Sequence, residues 1–190
     1  MTSYWDRFAQ AYTQIGEADF WLRHRRRLAE GLSGRVLEVC CGGGRLVVEL
    51  LNSGVDAYGI DLSPRMIQLA RTKLIQASLN PRRVAVADVT RLPFADRQFD
   101  TVISTGAIAL LRASTQRAAL TEMARVAGVE VQLLESYEKR PGWYWGRFWA
   151  TLFDGMRPIP RAVLRGSGLD CSHQGDILGG AFSHLRCTKR

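Results

Sequence analysis

The segment Val36-Leu37-Glu38-Val39-Cys40-Cys41-Gly42-Gly43-Gly44 constrains this chain most. A run containing β-branched residues ends in three consecutive glycines, and an apolar-periodic stretch from Arg45 to Asn52 follows, closed by Gly54. β-Branched residues fit a pleated strand, and glycines allow a tight turn and close backbone approach. The later apolar residues recur at helical spacing. The segment therefore reads as a strand, a glycine turn and a helix.

The same unit recurs along the chain. Ala57–Ile60 reads as a strand, followed by Asp61-Leu62-Ser63-Pro64 and a helix to about Ser78. Ser63 suits the N-cap and Pro64 the first helical position, where its missing N–H costs nothing. Arg83–Ala87 reads as a strand ending at Asp88, Phe99–Ser104 as the next, and Thr115–Val126 as a helix before a fifth strand at Val129–Leu134. Leu169–Thr188 reads as two strands around Gly179-Gly180, a terminal hairpin. Residues 3–31 read as helical, from Trp5, Phe8 and Tyr12 and then Phe20, Leu22 and Leu28; Pro141–Pro160, rich in Trp, Tyr and Phe, is also expected to be helical. Strands alternating with helices imply βαβ units and a parallel sheet of the α/β class. With no repeat or linker, one domain over 1–190 is expected: an N-terminal helical part (1–31), a ligand-binding core (33–135) and an acceptor-side part (136–190).

Four cysteines bear on the redox state. Cys40 and Cys41 are adjacent, a poor geometry for a bridge. Cys171 and Cys187 fall near each other on the terminal hairpin, so a pair there stays open. The N-terminus shows no basic stretch followed by an apolar run, which makes reduced thiols and a cytoplasmic location the expectation. No stretch approaches the ~20 apolar residues of a membrane span. No CxxC or histidine-rich spacing points to a metal, and none is expected. The net charge of +8, much of it arginine as in Arg23-His24-Arg25-Arg26-Arg27, suits an anionic partner such as nucleic acid or a phospholipid surface. A solvated helix face explains the same run.

Open parallel sheets bind ligands at the carboxyl ends of their strands. Three carboxylates, Glu38, Asp61 and Asp88, fall at or near such ends. Two features argue against a dinucleotide loop. Val47 stands where the third glycine of G-x-G-x-x-G belongs, and Glu38 at the base of the loop would repel a pyrophosphate. An acid before the glycines, an acid for ribose hydroxyls and an acid near the adenine describe a nucleoside carrying positive charge.

These motifs resemble class I S-adenosylmethionine-dependent methyltransferases. Residues 36–44 resemble that family's first motif, and Tyr58-Gly59-Ile60-Asp61-Leu62-Ser63-Pro64-Arg65-Met66 its second. Ala87-Asp88-Val89-Thr90-Arg91-Leu92-Pro93-Phe94 and Phe99-Asp100-Thr101-Val102 are similar to the third and fourth. The spacing is similar to that of the ubiquinone- and menaquinone-biosynthesis subgroup. The resemblance implies a Rossmann-like, doubly wound, mostly parallel seven-stranded sheet with helices on both faces and a C-terminal antiparallel hairpin strand. It also implies S-adenosylmethionine as methyl donor and S-adenosylhomocysteine as product.

Residue by residue, the resemblance places Glu38 and the backbone at Cys40, Gly42 and Gly44 around the methionine end. Asp61 takes the ribose hydroxyls, Leu62 and Met66 pack by the adenine, Asp88 accepts from its amino group and the Val89 N–H meets a ring nitrogen. Thr105 lines the path to the methyl, and Tyr4 and Tyr12 cover the site. Each position also has a plainer reading: Asp61 and Asp88 as caps, Leu62 and Met66 as core, Tyr4 and Tyr12 as packing residues. Departures from the family are Cys40 in place of a common glycine, Ala109 and Leu110 in place of a histidine pair, and a short Ala127-Gly128 turn without the usual proline.

Thr105–Leu111 holds no titratable group, which leaves Glu135 and His173 as candidate bases and the catalytic residue unassigned. Ser104-Thr105-Gly106-Ala107 differs from the Asn/Asp-Pro-Pro-aromatic motif of enzymes that methylate base amino groups, which argues against a nucleic-acid partner. The aromatic stretch from Pro141 to Phe153 suits an apolar acceptor pocket or contact with an anionic membrane. The expectation is methyl transfer to a small, mainly apolar or lipid-like acceptor. A non-catalytic S-adenosylmethionine-binding module, an RNA-associated methyltransferase and, last, an NAD-dependent oxidoreductase are the alternatives.

Overall fold

The computed structural model describes residues 19–138 and 156–190. Tyr4, Tyr12, the helical reading of 3–18 and nearly all of the aromatic stretch lie outside them. Seven strands form one sheet: β1 (Arg35–Val39), β2 (Asp56–Asp61), β3 (Val84–Val86), β4 (Phe99–Thr105), β5 (Ala127–Glu135), β6 (Leu169–Ile177) and β7 (Phe182–Lys189), in the order β3-β2-β1-β4-β5-β7-β6. The first five are parallel, and β7 runs antiparallel to both β5 and β6. The helices are α1 (Asp19–Ala29), α2 (Arg45–Asn52), α3 (Pro64–Gln76), α4 (Ala113–Val126) and α5 (Arg161–Gly166).

Alternation along the strands supplies two apolar layers. Leu37, Val39, Val102, Leu133 and Leu185 pack on one face against Ala119, Leu120 and Met123 of α4 and Leu164 of α5. Val36, Ala57, Ile103, Leu134 and Phe182 face the other way, among Leu28 of α1, Leu46, Val47 and Leu50 of α2, and Ile67, Ala70 and Leu74 of α3. The sheet is thus doubly wound. The chain steps outward from β1 to β3 and returns as β4 beside β1, which opens a crevice between the carboxyl ends of β1 and β4.

Local chemistry sets the element ends. The Ser63 hydroxyl accepts from the Met66 N–H at 3.1 Å, the cap expected for α3, with Pro64 behind it. Three expectations change. The third strand is shorter than Arg83–Ala87, because Pro81–Arg83 forms a 3₁₀ turn. There is no Ala127-Gly128 turn; β5 begins directly after α4. The two hairpin cysteines were expected as thiols, yet Cys171 and Cys187 form a disulfide. They are directly opposed across β6 and β7, with Cα atoms 4.0 Å apart, so pairing needs no backbone movement.

Candidate functional site

The crevice is built by the turn after β1. Cys40 has φ 53°, a left-handed conformation that disfavours side chains, which explains why a glycine is common at this position in the family. The Cys41 N–H then bonds Ile60 O at 2.8 Å, tying the turn to β2. Gly42 is also left-handed, at φ 52°, and a Cβ there would meet nothing within 4 Å, so this side of the turn faces open space. Gly44, at φ 72°, sits at the N-cap of α2, where a Cβ would come within 2.7 Å of Ala70 Cβ. Val47, which breaks the dinucleotide fingerprint, packs against a glycine from the other side: a Cβ on Gly59 of β2 would fall 2.7 Å from Val47 Cγ2. The close helix-to-strand approach is thus supplied by β2.

The carboxylates surround this turn. Asp61, at the end of β2, accepts from the Gly42 N–H at 2.9 Å through Oδ2 and from the Ser63 N–H at 2.9 Å through Oδ1. Both the capping and the ligand readings fit it, since a carboxylate offers about four acceptor positions. Glu38 is 2% exposed. Its Oε1 accepts from the Thr105 hydroxyl at 3.4 Å, while Oε2 is buried without a hydrogen bond. Burial dominates and raises its pKa to about 7, with Asp61 pushing the same way and Arg25 of α1 and the Thr105 hydroxyl opposing. Asp88 is exposed and accepts from the Thr90 N–H and hydroxyl, both at 2.8 Å, on Oδ1, so it caps the turn that follows β3. Val89 and Met66 are buried, and Leu62 is half-buried.

The structure therefore brings Glu38, the Cys40–Gly44 turn, Asp61 and Thr105 to one place, with Asp88 and Val89 beyond β3. The donor set fits a positively charged nucleoside. An ammonium or sulfonium suits the acids, and an orphaned buried oxygen calls for a donor. Among the described residues no cluster of His, Cys, Asp and Glu could hold a metal ion. Burial pushes the Cys40 and Cys41 thiols well up, so they act as compact apolar groups.

Neither candidate base occupies the crevice. Glu135 is fully buried and accepts from Ser104 Oγ (2.6 Å) and from the Ala107 (2.9 Å), Ile108 (3.1 Å) and Ala109 (3.2 Å) N–H groups. It fastens the turn after β4. His173 lies on β6, three strands from β4, and bonds Asp176 at 2.7 Å. Two polar residues with no motif around them, Gln132 and His184, carry buried atoms without partners.

Residues 36–128 match a family model described as a methyltransferase domain. Residues 36–128 are thus similar to a methyltransferase domain, in keeping with the resemblance that the four motifs carry. It is 33% identical over 150 residues to a demethylmenaquinone methyltransferase of Mycobacterium sp. (strain KMS), covering 77% of this chain and 60% of the relative. It is 34% identical over 124 residues to a phosphatidylethanolamine N-methyltransferase of Cereibacter sphaeroides, covering 62% and 60%. The magnesium protoporphyrin IX methyltransferase of Synechocystis PCC 6803, solved with bound SAH, superposes with a TM-score of 0.76 at 18% identity, over 100% of this chain and 98% of that one. The chain spans from about a third to 60% of the length of the curated relatives it matches.

Proposed function

We propose that the chain transfers a methyl group from S-adenosylmethionine to a small, mainly apolar or lipid-like acceptor. The carrying observation is Glu38 Oε2, a buried acceptor without a donor, beside the open face of Gly42 and within the same crevice as Asp61. When bound, the cofactor supplies a methyl group made electrophilic by its sulfonium. Glu38 and the backbone at Cys40, Gly42 and Gly44 hold its amino-acid end. Asp61 accepts from the ribose hydroxyls while keeping the turn closed. Leu62 and Met66 flank the adenine, Asp88 Oδ2 accepts from its amino group and the Val89 N–H donates to the ring. Thr105 borders the methyl path and orients Glu38. Relatives named for demethylmenaquinone and phosphatidylethanolamine support an apolar acceptor, and exposed arginines support contact with an anionic membrane surface.

A second reading, a non-catalytic S-adenosylmethionine-binding module, is favoured by one observation. Glu135 is fully occupied by the turn at 107–109, and no titratable side chain lies in 105–111. Incubation with methyl-labelled S-adenosylmethionine and a total lipid extract separates the two. Label in the organic phase together with S-adenosylhomocysteine is expected. Binding without any release of S-adenosylhomocysteine, from either lipid or water-soluble extracts, contradicts the enzymatic reading.

A further inference from the structure

Three of the buried polar atoms that lack a hydrogen-bond partner lie on one face of the sheet: Glu38 Oε2, Gln132 Oε1 and His184 Nε2. The register places them. Glu38 pairs with Ile103, Ile103 with Gln132 and Gln132 with Arg186. Directly opposed residues point the same way, so Glu38 and Gln132 share a row and a face. One step toward the carboxyl ends, Thr105 pairs with Leu134 and Leu134 with His184. His184 is thus in the row of Thr105, two strand spacings or roughly 10 Å away. It is also a diagonal neighbour of Gln132, about 7 Å across the sheet.

The orientation of Gln132 is held from one side. Its Nε2 donates to Glu130 Oε1 at 2.7 Å, and Glu130 Oε2 pairs with the Arg186 guanidinium. Gln132 is 6% exposed, and its carbonyl oxygen is left with nothing to accept from. Burial, with the nearby Arg186 and His173, holds the His184 pKa below the ordinary histidine value, with Glu130 opposing. A neutral ring pairs with a hydroxyl without a second charge. Ile103, Leu134, Phe182 and Met156 supply an apolar surround on this face. A folded chain rarely leaves such polar atoms unmet unless water or a ligand meets them.

We propose that Gln132 and His184 form the polar end of the acceptor site and hold a hydroxyl group carried on an otherwise apolar acceptor. The inference rests on the methyltransferase reading, and its test separates the two. Calorimetry first measures S-adenosylmethionine binding to the wild-type chain and to Gln132→Leu and His184→Leu; retained binding shows that each variant is folded. In the presence of S-adenosylhomocysteine, 2-naphthol and naphthalene are then titrated against labelled histidine rings by NMR. Expected are a shift of the His184 resonance with 2-naphthol, affinity about tenfold above that for naphthalene, and loss of that margin in both variants. Equal affinity for the two rings, or an unmoved His184 resonance, in a chain that binds S-adenosylmethionine overturns the inference and leaves a water-filled seam. Absence of S-adenosylmethionine binding overturns the methyltransferase reading, and this inference with it.

Discussion

Glu38 illustrates how a single residue's environment becomes a measurable property of the chain. Burial raises its pKa to about 7 from the ordinary carboxylate value of 4.5. Between those values the unfolded chain has released a proton that the folded chain retains, so stability falls as pH rises. At about 1.4 kcal/mol per pH unit, the cost at pH 8 is on the order of 3 kcal/mol. Thermal melts from pH 5 to pH 8 should therefore show falling stability, with a clearly shallower slope in Glu38→Gln. Glu135, also raised by burial, contributes with the same sign and keeps some slope in the variant. An unchanged slope would contradict the assignment. The glycines separate in the same way. Gly44→Ala combines a left-handed backbone with a clash on Ala70 and should cost roughly 2–4 kcal/mol in denaturant unfolding; Gly42→Ala, facing open space, should cost about 1. The acids and glycines were legible in the sequence because each carries its chemistry in its own residue type. The unmet atoms of Gln132 and His184 were not, because they arise only from register between strands more than fifty residues apart.

At the level of elements, the alternating pattern predicted the parallel strands well, since strand, cap and turn residues are local signals. The β1, β2 and β4 positions and the Ser63 cap agree with the structure. The role of Glu135 could not be read locally. Its partners at 104 and 107–109 come from another strand and the turn beyond it. Glu135→Ala should lower stability by about 3 kcal/mol or more by removing a charged acceptor from buried donors. If Glu135 were instead a base exposed to the acceptor, Glu135→Gln would abolish turnover while leaving stability intact. The hairpin disulfide is also a product of register. Alkylation of the unfolded, unreduced protein should label Cys40 and Cys41 and leave Cys171 and Cys187 unmodified.

For the whole molecule, the sheet order with its reversal between β1 and β4 makes one crevice where acids from β1 and β2 converge. The resemblance to methyltransferases was legible because four motifs occur in order, but the proposed hydroxyl site was not, because Gln132 and His184 come together only across the pairing of β5 with β7. The net charge of +8 acts at this scale. Arg112, Arg117, Arg161 and Arg165 are exposed around α4 and α5, and co-sedimentation with anionic vesicles should be strong at low salt and decline as salt rises. Salt-insensitive or absent binding would remove the membrane contact. The central claim is that a positively charged adenosine derivative sits against Glu38 and Asp61, and titration calorimetry with S-adenosylmethionine addresses it most directly. The account predicts binding that tightens from pH 6 to pH 8 as Glu38 loses its proton, and that weakens at least about tenfold in Asp61→Ala. No binding by the wild-type chain, or the same affinity in Asp61→Ala at both pH values, would contradict it.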